Sequence, residues 1–164
     1  FSSQCELMEF GLEEGCTMEE LPQKMNQVLP AGIVIHDCYE AGSFRALSFV
    51  RYDIFLEFDG NLAQAAGEAF QELVSRDHFI VQKRSKNPNV ALPRWTSSLS
   101  SKGWKPSRPR GIPLSLTLLL QAQNPGLSPS VLLQGFQTAY PSFVPVYSSC
   151  HRREILDQEK NVYR

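Results

Sequence analysis

LSFVRYDIFLEFDGNLAQAAGEAFQEL, residues 47–73, contains the change of period that decides the fold. Residues 47–58 are rich in β-branched and aromatic side chains, and Tyr52, Ile54, Leu56 and Phe58 fall on one side of an extended chain. Asp53 and Glu57 fall on the other, which is the alternation of a strand with one apolar face. Asp59, Gly60 and Asn61 then signal a turn and a helix start. Beyond them Leu62, Ala65, Ala66, Ala69, Phe70 and Leu73 recur three or four residues apart, the apolar stripe of a helix packed on one side.

Working outward, HFIVQKR at 78–84 reads as a further strand after this helix. On the N-terminal side, QCELMEFGL at 4–12 alternates polar and apolar residues and reads as a strand. Thr17 and Glu20 have capping-box spacing. The helix they open carries Met18, Leu21, Met25, Val28 and Leu29 on one face, with Pro22 early enough to be tolerated. Leu29, Pro30, Ala31 and Gly32 stop it, and IVIHDCYE at 33–40 reads as the next strand. Strand–helix–strand, twice over, predicts an α+β fold: a ferredoxin-like split βαβ sandwich over residues 1–84, with helices on one face of an antiparallel sheet.

Residues 85–111 change character. They hold four Pro, two Gly, six Ser and six Lys or Arg, with no acidic residue, and read as one long basic loop. A loop of that length inside a domain is normally functional or disordered. After it, 112–123 reads as a buried strand, and Ser128 with Pro129 opens a helix running to Tyr140. Residues 142–148 read as a last strand, held to an edge by Pro145. The charged tail after Cys150 is expected to fray. Residues 112–164 therefore add a strand–helix–strand unit to the same domain.

A chain of 164 residues, 42% hydrophobic and 20% charged, is one globular domain's worth and is not a disordered or low-complexity polymer. The longest apolar stretch, 112–120, is broken by Pro113, Ser115 and Thr117, so no membrane span is read. Cysteines at 5, 16, 38 and 150 form no CxxC pair, and no signal peptide is legible; a reduced, cytoplasmic protein is the expectation. The chain opens on Phe1 rather than Met, which fits a piece of a longer polypeptide.

The net charge of -1 conceals an asymmetry. Residues 1–80 carry fourteen Asp and Glu against four Lys and Arg, whereas residues 81–164 carry three against twelve. The basic half concentrates Lys83, Arg84, Lys86, Arg94, Lys102, Lys105, Arg108 and Arg110 around Trp95 and Trp104. Lysine and arginine neutralise phosphates with release of counterions, and indole rings stack on unpaired bases, so these ten residues form the candidate nucleic-acid site, with RNA as the ligand. The bland alternative is a linker, or a segment docked on the acidic half with its Trp side chains packed.

Two other constellations carry weaker readings. His36 and Cys38 share a strand face and, with Cys150 and His151, could supply four zinc ligands; a half-buried histidine and inert buried thiols are commoner. Asp53, Glu57 and Asp59 could pair as general acid and base, but a solvated face opposite an apolar one explains them more simply. No nucleophile elbow, phosphate-binding glycine loop or metal helix is present in the sequence.

GCTMEELPQKMNQVLPAGIVIHDCYEAGSFRALSFVRYDIFLEF resembles the radical-SAM-linked family, a bacterial domain of unknown function. Met25 and Asn26, the LPAGIV run at 29–34, and YDIFL at 52–56 carry the likeness. The basic strand at 78–84, the apolar strand at 112–121, Leu132 and Leu133 in the Pro-initiated helix, and the Arg-containing close at 151–156 extend it over residues 3–156. The resemblance implies a domain found beside, or fused to, a cobalamin-binding radical SAM protein. It implies no catalytic residue. An iron–sulfur cluster needs closely spaced thiolates, and the cysteines here lie 11, 22 and 112 residues apart, so cluster, SAM and cobalamin would belong to the partner. The expected function is thus a non-catalytic accessory domain that binds or presents substrate. A plain interaction module docking through acidic 6–20, and an enzyme using the 53–59 carboxylates, stand as alternatives. Homodimerisation through the exposed edge of the 4–12 strand is a further expectation.

Overall fold

The alternation at the centre of the chain becomes the central strand of a sheet. In a computed structural model, which describes residues 1–12, 15–40, 44–76, 79–82, 89–92, 97–99, 112–123 and 126–163, the strands are β1 (Ser2–Ser3), β2 (Phe49–Phe58), β3 (Phe79–Gln82), β4 (Asn89–Leu92), β5 (Ser97–Leu99), β6 (Ile112–Gln121) and β7 (Tyr147–Leu156). The helices are α1 (Leu21–Asn26), α2 (Leu62–Ser75) and α3 (Pro129–Ala139). Two compact units are formed, one from Phe1–Cys5 with Leu47–Tyr163, the other from Glu6–Ala46.

The first unit is built on a five-stranded mixed sheet of order β1-β7-β2-β6-β5. β2 pairs antiparallel with β6 along its whole length, from Phe49↔Gln121 to Phe58↔Ile112. On its other side β2 pairs antiparallel with β7, with a slip of register between Arg51 and Tyr52. β1 joins β7 in parallel, and β3 and β4 form a separate antiparallel pair. The architecture is α+β.

Burial follows the period-two pattern. Tyr52, Ile54, Leu56 and Phe58 of β2 are buried together with Leu116, Leu118 and Leu120 of β6. α2 lies over this face: a Cβ placed on Gly67 would come within 3.2 Å of Leu114 Cδ1, so the missing side chain permits the close approach. α2 buries Ala66, Ala69, Phe70 and Leu73 of the expected stripe together with Ala63, Gly67 and Val74, while Leu62 and Ala65 are exposed. α3 packs on α2 through Phe136, whose ring lies 5.2 Å from that of Phe70. Each such fully buried large side chain contributes about 1.5–3 kcal/mol.

Among its described residues the second unit holds α1 and a 3-10 turn at Phe44–Ala46. The Glu20 N–H donates to Thr17 Oγ1 at 3.4 Å, which is half of the expected capping box. The Glu20 carboxylate turns to Lys24 instead, at 2.8 Å. Pro22 sits in the first turn, where no backbone N–H is needed.

Several expectations are corrected. Residues 4–12 form no strand: only Ser2–Ser3 pairs with β7, and Met8, Phe10 and Leu12 are exposed, so no buried face fixes a register. Residues 33–40 form none either. Ile35 exchanges both backbone bonds with the Asn26 side-chain amide, at 2.7 and 2.9 Å, and Ile33 and Val34 are exposed. Of the four strands expected over 1–84, only β2 joins the large sheet, so the ferredoxin-like arrangement is not formed among the described residues. Residues 85–111 are not one uninterrupted loop, because β4 and β5 lie within them. The last strand runs over Tyr147–Leu156, not 142–148; β2 pairs with it from Tyr147 to Leu156, and β1 flanks its other side at His151 and Arg152. The tail beyond Cys150 is strand followed by a turn: the Tyr163 N–H donates to the Ile155 carbonyl at 2.9 Å and Tyr163 is buried.

Candidate functional site

The ten candidate nucleic-acid residues lie outside the described residues. Their positions in the chain order are informative nonetheless. Lys83, Arg84 and Lys86 belong to the connection from β3 to β4, and Arg94 and Trp95 to that from β4 to β5. Lys102, Trp104, Lys105, Arg108 and Arg110 belong to the connection from β5 to β6.

The carboxylates of β2 are not the solvated set expected of them. Asp53 accepts a hydrogen bond from Thr117 Oγ1 at 2.8 Å across β6, and Arg153 Nη1 of β7 approaches its other oxygen at 3.4 Å. Its side chain is only 18% exposed. Arg51 pairs with Glu154 at 2.5 Å on the same pair of strands. Glu57 is buried, beside Pro113 and Tyr147 in register, while Asp59 lies in the exposed turn. A carboxylate so engaged is held by its cross-strand neighbours, which is a structural use of the group. Sequence reasoning missed Arg153 and Glu154 because the register slip at Arg51/Tyr52 breaks the alternation of β7 and makes it read as a charged tail, and Thr117 because the pairing that sets it opposite Asp53 joins residues 64 apart.

His151 is similarly engaged. Ser2 Oγ and His151 Nδ1 are 2.8 Å apart, and Gln4 Oε1 lies 3.3 Å from His151 Nε2. This network fastens the N-terminal residues to β7. Beside it Arg152 lies over the rings of Phe1 and Tyr52, at 5.5 and 6.0 Å from their centroids. Burial pushes the Cys150 thiol up to about 11, so at neutral pH it is a protonated, unreactive thiol. Cys150 and His151 are in the first unit, and His36 and Cys38 in the second. Among the described residues no group of three or more His, Cys, Asp or Glu is placed to hold a metal ion. All four cysteines are free thiols.

At the far end of the helical layer, Arg76 donates to Glu72 at 2.7 Å and to the Tyr140 hydroxyl at 3.0 Å. The Arg76 hydrogen bond holds the Glu72 carboxyl below its usual range, and burial raises the Tyr140 phenol. The cluster ties the end of α2 to the end of α3.

Residues 1–126 match a family model described as "Uncharacterized protein conserved in bacteria (DUF2344)". The chain belongs to this family. The matched stretch runs from β1 to just past β6, leaving α3 and β7 beyond it. No curated protein and no solved structure matches the chain. Among the described residues of this family member, no helix is long and apolar enough to cross a membrane.

Proposed function

We propose that this chain is a non-catalytic accessory domain of a radical SAM enzyme, and that it holds the enzyme's RNA substrate through the basic segment 83–110. One observation supports the RNA reading: 28 consecutive residues contain eight Lys or Arg, both Trp of the chain and no acidic residue. Phosphate neutralisation and base stacking need those residue types together. The partner rests on the resemblance of residues 3–156 to the radical-SAM-linked family. On this reading the iron–sulfur cluster, SAM and cobalamin are held by the partner, and this chain supplies surface rather than chemistry, in the cytoplasm of a bacterium.

The test is a tryptophan-fluorescence titration with structured RNA at two salt concentrations. Binding should weaken steeply with salt, with a slope of roughly -0.7 per phosphate contacted. It should vanish when Arg94, Lys102, Lys105 and Arg108 are replaced by Ala. A flat titration at low salt removes RNA from the proposal. Co-purification of a radical SAM protein with the intact chain tests the partner separately.

A second reading, a plain protein-interaction module, is favoured by the exposure of Glu6, Glu9, Glu19 and Glu20 in the acidic stretch. Charge reversal there should abolish partner capture and leave any RNA binding unchanged. An enzyme using the carboxylates of β2 would need Asp53 to leave Thr117 and Arg153, and replacement of Asp53 by Asn would abolish turnover.

A further inference from the structure

Within the second unit a thiol and an amine meet. Lys24 Nζ donates to Cys16 Sγ at 3.6 Å, eight residues back along the chain. Both groups are held in place by Glu20, which lies between them. Its backbone N–H donates to Oγ1 of Thr17, the residue after Cys16, at 3.4 Å. Its carboxylate accepts from Lys24 Nζ at 2.8 Å, and its carbonyl accepts from the Lys24 N–H at 3.1 Å. The Lys24 side chain is 56% exposed and Cys16 is only half-buried, so a small solute reaches the pair. Reactive cysteines sit partly exposed beside a cation, whereas thiols buried among apolar groups are inert. Cys16 is of the first kind. Cys150, with its thiol pushed up to about 11 by burial, is of the second.

We propose that Cys16 and Lys24 form a peroxide-responsive modification site, at which hydrogen peroxide joins Cys16 Sγ to Lys24 Nζ through one oxygen atom. In the first step the Cys16 sulfur attacks a peroxide oxygen. The O–O bond breaks, an S–O bond forms, and the second oxygen leaves as water; the sulfur is oxidised by two electrons to a sulfenic acid. Lys24 then gives its extra proton to water and presents a free amine. A second peroxide takes two electrons from that nitrogen as an N–O bond forms to the sulfenic oxygen. The sulfenic O–H and one N–H are lost, and the peroxide is reduced to two waters. The Glu20 hydrogen bond raises the Lys24 amine above its usual value, so the joining step is the slow one and quickens with rising pH. The link replaces the ammonium by a neutral nitrogen and takes from Glu20 its ion-pair partner. Peroxide would thereby make the exposed acidic stretch more negative and staple its end to α1.

The test treats the intact chain with hydrogen peroxide at about pH 8.5, where more of the amine is free than at neutral pH, and reads peptide masses. Cleavage after Glu19 and Glu20 separates Cys16 from Lys24, so their two peptides travel together only when linked. The joined species should carry one oxygen more and two hydrogens fewer than the separate peptides, and dithiothreitol should part it. Cys38 lies on the Lys24 peptide and could join the two as a disulfide, so the species should persist in Cys38→Ser. It should be lost in Cys16→Ser. It should also be lost in Lys24→Arg, which keeps the cation but offers no amine, while Cys16 there proceeds to sulfinic acid. A native chain that gives no joined species overturns the proposal. So does a joined species that survives Lys24→Arg or disappears in Cys38→Ser.

Discussion

Phe136 is the residue on which the helical layer turns. Its ring meets Phe70 at 5.2 Å, Tyr140 at 5.4 Å and Phe143 at 6.2 Å, so it joins α2, α3 and the chain leaving α3. Phe136→Ala should cost about 3–5 kcal/mol, read as a lower urea midpoint at unchanged slope. Backbone proximity sets a second expectation. A Cβ on Gly126 would stand 2.7 Å from the Ala122 carbonyl oxygen, a rigid obstacle, whereas the one on Gly67 meets only the end of Leu114. Gly126→Ala should therefore destabilise by about 1–3 kcal/mol, and Gly67→Ala by much less. Cys150 gives a pH dependence. Burial raises its thiol from the ordinary 9.0 to about 11, so between those values the folded chain keeps a proton that the unfolded chain has lost. Its contribution is complete below pH 9 and is lost as pH rises through the folded value. The fall in Tm from about pH 8.5 to pH 11 should be shallower in Cys150→Ser than in the native chain. Equal slopes would show that burial does not hold the thiol neutral.

At the scale of elements, legibility followed burial. β2, α2, β6 and α3 were readable because each buries one face against another element, and a buried face leaves a period in the sequence. α3 also carries its own start signal. Ser128 Oγ accepts from the Val131 N–H at 3.4 Å, and Pro129 occupies the first turn. Ser128→Ala should cost about 1 kcal/mol, while Ser130→Ala, one turn position further on and exposed, should be close to neutral in the same thermal melts. The elements misread lacked that constraint. Residues 4–12 and 33–40 have strand-like alternation, yet Met8, Phe10, Ile33 and Val34 are exposed, so nothing holds the pattern to a sheet. β7 failed in the opposite direction. It is a full-length strand whose register slip spoils the period, and its charges are spent on Arg51–Glu154 and Asp53–Arg153 rather than on solvent. The candidate site was legible as composition alone: residue types and clustering can be read from a sequence, but the partners of Asp53 come from strands 64 and 100 residues away.

The whole molecule divides in a way the order of segments along the chain does not announce. The first unit is assembled from Phe1–Cys5 and Leu47–Tyr163, with the second unit inserted between them. Its core is drawn from β2, β6, β7, α2 and α3, and Leu21 is the buried apolar residue among the described residues of the second unit. The first unit should accordingly fold without residues 6–46, provided the two pieces can be joined. The gap is measurable on the sheet. Gln4 bonds to Arg152 and Ser48 bonds to Leu156, four residues along β7, which is about 13 Å at the rise of a strand. β1 and β2 flank β7, adding about two strand spacings across, or roughly 10 Å. Ten Gly and Ser residues have an r.m.s. span of about 17 Å, which matches the resulting distance. A chain with residues 6–46 replaced by such a linker should show a single cooperative thermal transition, and Phe136→Ala should lower it as it does in the intact chain. A non-cooperative melt would mean that the inserted stretch takes part in folding the sheet, and the division into two units would then describe contacts but not stability.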